Sequence, residues 1–109
     1  MSLVDQSLID ELIKFRKRLH QNPELAFDVD NTSALLAKEL QEAGLEVTTG
    51  IGRNSIVASL NKGSGVNPIG FRADMDALPI TEANTFGHAS NSPGKFHGCG
   101  HDGHSAMLL

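Results

Sequence analysis

The chain has 109 residues and a formal net charge of −4, which suits one domain and argues against a nucleic-acid partner, because a phosphate backbone requires clustered lysine and arginine. The apolar fraction of 39% and charged fraction of 20% are typical of a globular protein and exclude a disordered tail. The one cysteine, Cys99, cannot form an internal disulfide, and neither a signal peptide nor an apolar run of membrane-spanning length stands in the sequence. We therefore expect a cytoplasmic protein without a membrane partner.

Two helices are predicted in the first half of the chain. Apolar residues recur at helical spacing from Val4 to Leu19. Pro23 should end this helix, because a proline disfavours helical geometry at the residue before it. A second helix is predicted to begin near Asp30 and to stop at Gly44, a residue type that commonly follows a helix C-terminus.

After the second helix the hydrophobic pattern changes to that of β-strands. Residues 45–49, 56–60 and 68–73 are predicted as three strands, with a turn at 61–65 between the second and the third. The order of two helices followed by three strands favours an α/β layer arrangement in which the strands lie under the helices.

The last third of the chain loses regular patterning at Asp74, and glycine, proline, asparagine, serine and histidine dominate from there. Chemistry is often carried by loops on a rigid scaffold. A helical pattern returns only at residues 105–109. A helix of about one turn is marginal in water, so we expect the natural protein to continue past Leu109.

Residues 97–104, His-Gly-Cys-Gly-His-Asp-Gly-His, are rich in metal-ligating residue types. In an extended segment, residues two apart point to the same side, so Cys99 and His101 can face one ion, and the glycines let the backbone bend around it. A thiolate and an imidazole suit Zn²⁺, Ni²⁺, Co²⁺ or Mn²⁺. Two alternatives stay open: purely structural residues, and Cys99 as a nucleophile with His101 or His104 as its base.

A pair of carboxylates, Asp74 and Asp76, lies at the end of the third predicted strand. Such close carboxylates repel unless a cation is near, and Arg72 could neutralise either. A carboxylate behind a ligating histidine fixes its tautomer, and ligands bind at strand ends in open α/β sheets, so the pair is predicted to support the histidine-rich site. The alternative is a polar strand end. His20 and Glu24 could also pair, although a histidine at a helix end is usually structural.

Three segments together resemble the amidohydrolase branch of the peptidase M20 family, which includes hippurate hydrolases, N-acyl-amino-acid amidohydrolases and auxin-conjugate hydrolases. They are residues 18–27, 71–79 and 92–109, and three matches in family order are more specific than any one alone. The resemblance implies that residues 1–109 are the N-terminal portion of an α/β catalytic domain of the zinc-peptidase (phosphorylase/hydrolase-like) type, with helices packed on a mixed β-sheet. The rest of that domain and a lid domain would lie outside this chain.

The resemblance also assigns roles to individual residues. Cys99 and His101 would be metal ligands in a centre that holds two divalent ions (Zn, Mn, Ni or Co) in the full-length protein. Asp76 would be an orienting carboxylate behind a ligand. Asp74 stands where the wider superfamily has a ligating histidine, so this branch departs from the pattern there. The residues expected to support the site are Asp74, Asp102 and His104.

The activity implied by the resemblance is hydrolysis of the amide bond of small-molecule N-acyl amino acids by metal-activated water. The glutamate general base would lie outside this chain, so the fragment alone is expected to be inactive. A homodimer could form through the missing lid domain. The alternative is a small non-catalytic metal-binding module with its own complete set of ligands, namely Cys99, His101, His104 and Asp74.

Overall fold

The computed structural model describes residues 4–109. Within that range the helices are α1 (Gln6–Gln21), α2 (Asp30–Glu42) and α3 (His101–Leu108), and the strands are β1 (Glu46–Ile51) and β2 (Ser55–Ser59). None of the described helices combines the length and the apolar character needed to cross a membrane.

Helix α1 begins after Asp5, whose side chain accepts a hydrogen bond from the backbone N–H of Ser7. It ends at Asn22, next to Pro23, where the backbone N–H of Asn22 donates to the carbonyl of Leu19 at 3.1 Å. The predicted helix is therefore confirmed. Its buried last turn packs against α3.

Helix α2 is also confirmed, but the side chain that caps its N-terminus does not belong to the N-cap residue. The side chain of Val29 provides no capping hydrogen bond. The carboxylate of Glu24 takes that place, accepting from the backbone N–H and, at 2.6 Å, the hydroxyl of Thr32. The helix ends before Gly44, whose φ of +87° is reached easily only by glycine.

Strands β1 and β2 form an antiparallel hairpin against α2, as the first two predicted strands required. Glu46 pairs with Ser59 at the open end, and Arg53 in the turn has φ of +97°. The guanidinium of Arg53 lies 4.9 Å from the ring centre of Phe27, a cation–π contact that joins the turn to the loop before α2. The α/β class is confirmed.

The prediction of a third strand is wrong. Residues 68–73 adopt no regular structure, and Ile69 and Phe71 are 81% and 80% exposed. A strand needs a neighbour to complete its hydrogen-bonded ladder. The sheet of the described residues joins β1 to β2, and the isolated β-bridges elsewhere involve none of residues 68–73. The mixed sheet implied by the family resemblance would require strands in addition to this antiparallel hairpin.

Backbone hydrogen bonds join residues 76–78 to two other loops, the one before α2 and the one before α3. The backbone N–H of Ala77 donates to the carbonyl of Glu24 at 2.7 Å, and Leu78 and Phe96 exchange two backbone hydrogen bonds of 2.9 and 3.0 Å. These contacts place the segment that carries Asp76 beside the start of α3. The buried apolar side chains of the described residues are those of Leu19, Val29, Leu36, Ala37, Ala77 and Ala106.

Candidate metal centre

The segment that carries Cys99 and His101 is a turn followed by a helix, so the predicted extended conformation is wrong. Gly98 and Cys99 lie in the turn, Gly100 has φ of +79°, and His101 is the first residue of α3. The backbone N–H of His104 donates to the carbonyl of Gly100 at 2.9 Å and closes the first helical turn. The helix thus begins four residues earlier than the sequence pattern indicated, because glycine permits the left-handed conformation at its N-terminus.

The ring of His101 is held by Asp76. Its Nδ1 lies 2.7 Å from the backbone carbonyl oxygen of Asp76 and 3.1 Å from the carboxylate oxygen Oδ1. A carbonyl oxygen only accepts, so Nδ1 carries a proton, and in the neutral form of the ring Nε2 presents its lone pair. Nε2 has no hydrogen-bond partner among the described residues. This arrangement orients metal-binding histidines in many proteins.

Cys99 has an exposed thiol on the turn before His101. Thiol and imidazole are suitable donors for a divalent transition metal, so these residues fit a metal centre by type. Within residues 4–109, however, no group of three or more His, Cys, Asp or Glu side chains is arranged to hold an ion. The set of donors is therefore partial, and the complete metal-binding module considered as an alternative is not supported.

The predicted supporting residues separate into two groups. Asp74 pairs with Arg72, whose Nη2 lies 2.5 Å from Oδ1, and its backbone carbonyl accepts a hydrogen bond of 3.2 Å from the hydroxyl of Ser105. The exposed ring of His104 lies 5.9 Å from the ring of His101. Asp102, by contrast, is 1% exposed and contacts α1.

A buried charge network, formed by Arg16, His20, Glu82 and Asp102, lies behind α3. The Nδ1 atom of His20 is 2.8 Å from Oδ2 of Asp102, and its Nε2 atom is 2.8 Å from Oε1 of Glu82. The Nε atom of Arg16 donates to the same Oδ2 of Asp102 at 2.8 Å. Sequence reasoning missed this network. It offered Glu24 as the partner of His20, whereas Glu24 caps α2.

Both carboxylates of the network have lowered pKa values. Burial raises the pKa of Glu82, but hydrogen bonds from His20, the backbone N–H of Ser90 and the side chain of Asn84 outweigh it and bring the pKa to about 2. Burial likewise raises the pKa of Asp102, and hydrogen bonds from His20 and the backbone, with the charge of Arg16, lower it below its usual value. Both groups are therefore ionised at neutral pH.

His97 lies between the network and the candidate ligands, and it is 5% exposed. Among the described residues its two ring nitrogens and Oδ1 of Asp102 have no hydrogen-bond partner. Burial lowers the pKa of His97, and the nearby charge of Asp102 offsets this only in part. His97 is consequently neutral at pH 7. The sequence placed it in the histidine-rich cluster but gave it no role.

An open cleft of about 640 Å³ borders the carboxylate segment. Asp74 and Asp76 stand on one wall, and apolar side chains of α2 and α3, including Leu36 and Leu108, form much of the rest. Cys99 and His101 do not line it. The cleft therefore reaches the supporting carboxylates but does not by itself define a substrate pocket.

Comparison with known proteins places this geometry in a family. Residues 70–109, which carry the candidate ligands, match the sequence profile of Peptidase family M20/M25/M40. The chain is 43% identical to hippurate hydrolase of Campylobacter jejuni and 44% identical to N-acyl-L-amino acid amidohydrolase of Geobacillus stearothermophilus. These alignments cover 100% and 98% of this chain, and 29% of each relative.

A solved structure shares the same backbone. It is that of a Bacillus subtilis protein described as a dinuclear metal-binding peptidase of the M20 family, and it superposes with a TM-score of 0.88 at 36% identity. The superposition covers 96% of this chain and 30% of that protein. The chain thus spans about 30% of the length of the proteins it matches. The ordered motifs, the matched profile and the shared backbone together show that this chain belongs to the M20 peptidase family.

Proposed function

We propose that this chain is the N-terminal portion of the catalytic domain of a metal-dependent amidohydrolase that cleaves the amide bond of N-acyl amino acids. The observation that carries the proposal is the geometry of His101. Its Nδ1 is fixed by Asp76, its Nε2 has no hydrogen-bond partner among residues 4–109, and the exposed thiol of Cys99 stands two positions earlier in the chain. The names of the relatives support the same class of substrate.

In this proposal Cys99 and His101 are metal ligands, and the remaining ligands come from outside the chain. The centre holds two divalent ions, as is stated of the similar Bacillus subtilis peptidase, and Zn, Mn, Ni and Co are all compatible with the two donor types. When bound, divalent ions supply polarisation of the amide carbonyl and a water molecule acidic enough to react near pH 7.

The chain's own residues orient the centre. Nδ1 of His101 donates to Asp76, whose backbone carbonyl oxygen and carboxylate oxygen Oδ1 both lie within hydrogen-bond distance. These contacts fix the ring and raise the basicity of Nε2. Asp74, His104 and Asp102 support the surrounding backbone, Asp74 through Ser105 of α3. In this proposal Asp76 orients His101 and is not the base. The family resemblance assigns the general base to a glutamate beyond this chain, so the chain alone is expected to be inactive.

The test uses the complete protein, assayed for bound metal and for hydrolysis of hippurate and N-acetyl amino acids. Cys99→Ser and His101→Ala should each lower hydrolysis at least about 100-fold and reduce the metal content. Asp76→Asn should cost roughly 10–100-fold, the usual effect of losing an outer partner of a ligand. Asp10→Asn, on the exposed face of α1, is the matched carboxylate control and should leave both quantities unchanged.

Retention of metal and of amide cleavage in a Cys99→Ser/His101→Ala double variant would refute the assignment. Hydrolysis that survives chelation but is abolished by alkylation would instead favour Cys99 as a nucleophile. A cytoplasmic location, a small-molecule substrate without a nucleic-acid or membrane partner, and a homodimer formed through the lid domain complete the proposal. Fractionation of cells and the sedimentation of the complete protein test the first and the last of these.

A further inference from the structure

His20 is the most enclosed titratable side chain that the proposed chemistry leaves without a role. Its ring is 3% exposed, and the ring centres of Phe86, His88, Phe96 and His97 all lie within 6.4 Å of its own. A polar ring with this degree of burial is costly unless both of its nitrogens are satisfied. Both are, and each faces a carboxylate.

Each ring nitrogen of His20 is bound by one carboxylate. Nδ1 lies 2.8 Å from Oδ2 of Asp102, and Nε2 lies 2.8 Å from Oε1 of Glu82. The Nη2 atom of Arg16 lies 3.4 Å from the same Nδ1. From the last turn of α1, His20 therefore joins Asp102 of α3 to Glu82 through direct contacts.

One of those neighbours is adjacent to a proposed metal ligand. Asp102 follows His101 directly in the first turn of α3, and successive side chains on a helix point roughly 100° apart. Asp102 thus points to α1, where His20 and Arg16 hold it, while His101 points to Asp76. The contact of Asp102 with α1 and the contact of His101 with Asp76 thus hold the first turn of α3 from two sides.

Local structure alone does not fix the orientation of α3. Helix α3 has eight residues, with Gly100 at its N-cap and Gly103 in its first turn. Isolated helices of this length are marginal in water, and glycine adds backbone freedom. The orientation of α3 therefore depends on its tertiary contacts, which are those of Asp102 with α1, of His101 with Asp76 and of Ser105 with Asp74.

We propose that His20 is a positioning residue for the metal centre, acting through Asp102 on the first turn of α3 and so on His101. The inference rests on the proposed function, because it takes His101 as a ligand. Loss of His20 should loosen α3 and raise the dissociation constant of the metal, while the ligands themselves stay in place.

The experiment titrates the metal-free complete protein with Co²⁺ alone and follows the thiolate-to-cobalt absorption, which reports ligation by Cys99. His20→Gln should raise the dissociation constant about tenfold, at the lower end of the effect of outer partners, with the absorption intact at saturation. Leu19→Ala removes a neighbouring buried side chain outside the network. Although it also destabilises the fold, it should leave the dissociation constant within about twofold.

Arg16→Met provides a second variant if His20→Gln does not fold. Arg16 is 37% exposed and methionine retains an aliphatic stem, so the fold should persist while Asp102 loses one of its two side-chain donors. A threefold rise in the dissociation constant is expected. If these variants bind Co²⁺ no more weakly than Leu19→Ala, the positioning role is wrong.

Cys99→Ser separates this outcome from failure of the proposed function. If Cys99→Ser weakens Co²⁺ binding strongly while His20→Gln does not, only the positioning role fails. If Cys99→Ser binds Co²⁺ as the unaltered protein does, with the same absorption, the metal site is misassigned and both proposals fail.

Discussion

Two regions of this chain reverse the usual distribution of polar and apolar side chains. The buried charge network places Glu82, Asp102 and His20 inside the molecule, with both ring nitrogens of His20 in contact with a carboxylate. Residues 60–72, here called the exposed segment, instead leave Phe71 and Val66 80% and 92% exposed. Burial in this chain therefore follows the availability of partners, because charged groups with matched partners can be enclosed and apolar groups without a neighbouring surface cannot.

The largest change in the free energy of unfolding is expected when one charge is removed from the network. Asp102→Ala leaves His20 and Arg16 without their shared acceptor, so the free energy of unfolding should fall by about 3–5 kcal/mol, as for other buried ion pairs that lose one partner. Urea denaturation followed by circular dichroism measures it. Glu42→Ala breaks the exposed pair with Lys38 and should cost no more than about 1 kcal/mol. Equal losses of unfolding free energy in the two variants would show that the network stabilises the fold no more than an exposed ion pair does.

The charge of Glu82 predicts a pH dependence of stability. Its pKa is about 2 in the folded protein against 4.5 when unperturbed, so the folded state binds fewer protons between these values. Its contribution is thus fully present above pH 4.5 and is lost as the pH falls toward 2. Urea midpoints measured from pH 7 down to 3 should fall less steeply in Glu82→Gln than in the unaltered protein. Parallel curves would show that this carboxylate does not contribute to the acid sensitivity.

A smaller loss of unfolding free energy is expected from a change at Glu24, which is half-buried and hydrogen-bonded to the N-terminus of α2. Glu24→Gln removes the negative charge from the helix end and leaves one oxygen to accept, so a loss of about 1 kcal/mol is expected from capping and charge–dipole terms. Thermal or urea unfolding measures it. Asp28→Asn, an exposed carboxylate four residues later, should change stability by less than about 0.5 kcal/mol. If Asp28→Asn lowers the free energy of unfolding as much as Glu24→Gln does, the capping role of Glu24 is wrong.

The smallest stability effect is expected in the exposed segment. Phe71→Ser replaces a large side chain that is 80% exposed, so the free energy of unfolding should change by less than about 0.5 kcal/mol. Self-association should nevertheless decrease, because exposed apolar side chains promote it. Sedimentation velocity over a range of concentrations tests this, and Ile69→Ser should act in the same direction. A large loss of stability would show that Phe71 is buried in solution.

The sequence predicted the elements whose causes are local. The apolar spacing before Pro23, the glycine after α2 and the alternation in the hairpin are each set by residues a few positions apart, and the structure has α1, α2, β1 and β2 in those places. The sequence also led us to expect that the Asp74 and Asp76 pair supports the histidine-rich cluster, and the structure has Asp76 in contact with His101. The orienting role of Asp76 and the roles of Cys99 and His101 as ligands stay predictions.

Only the tertiary structure decided the rest. Local patterning gave residues 68–73 the character of a strand, but a strand exists only where a neighbour completes its hydrogen bonds, and the described residues offer none there. Likewise, no local signal joins His20 to Glu82 and Asp102, which stand 62 and 82 positions away. The sequence determines which groups carry charge and which segments can turn or coil. Which of those groups meet is decided by packing α1 against α3, since hydrogen bonds and ion pairs act over a few ångströms in space regardless of separation along the chain.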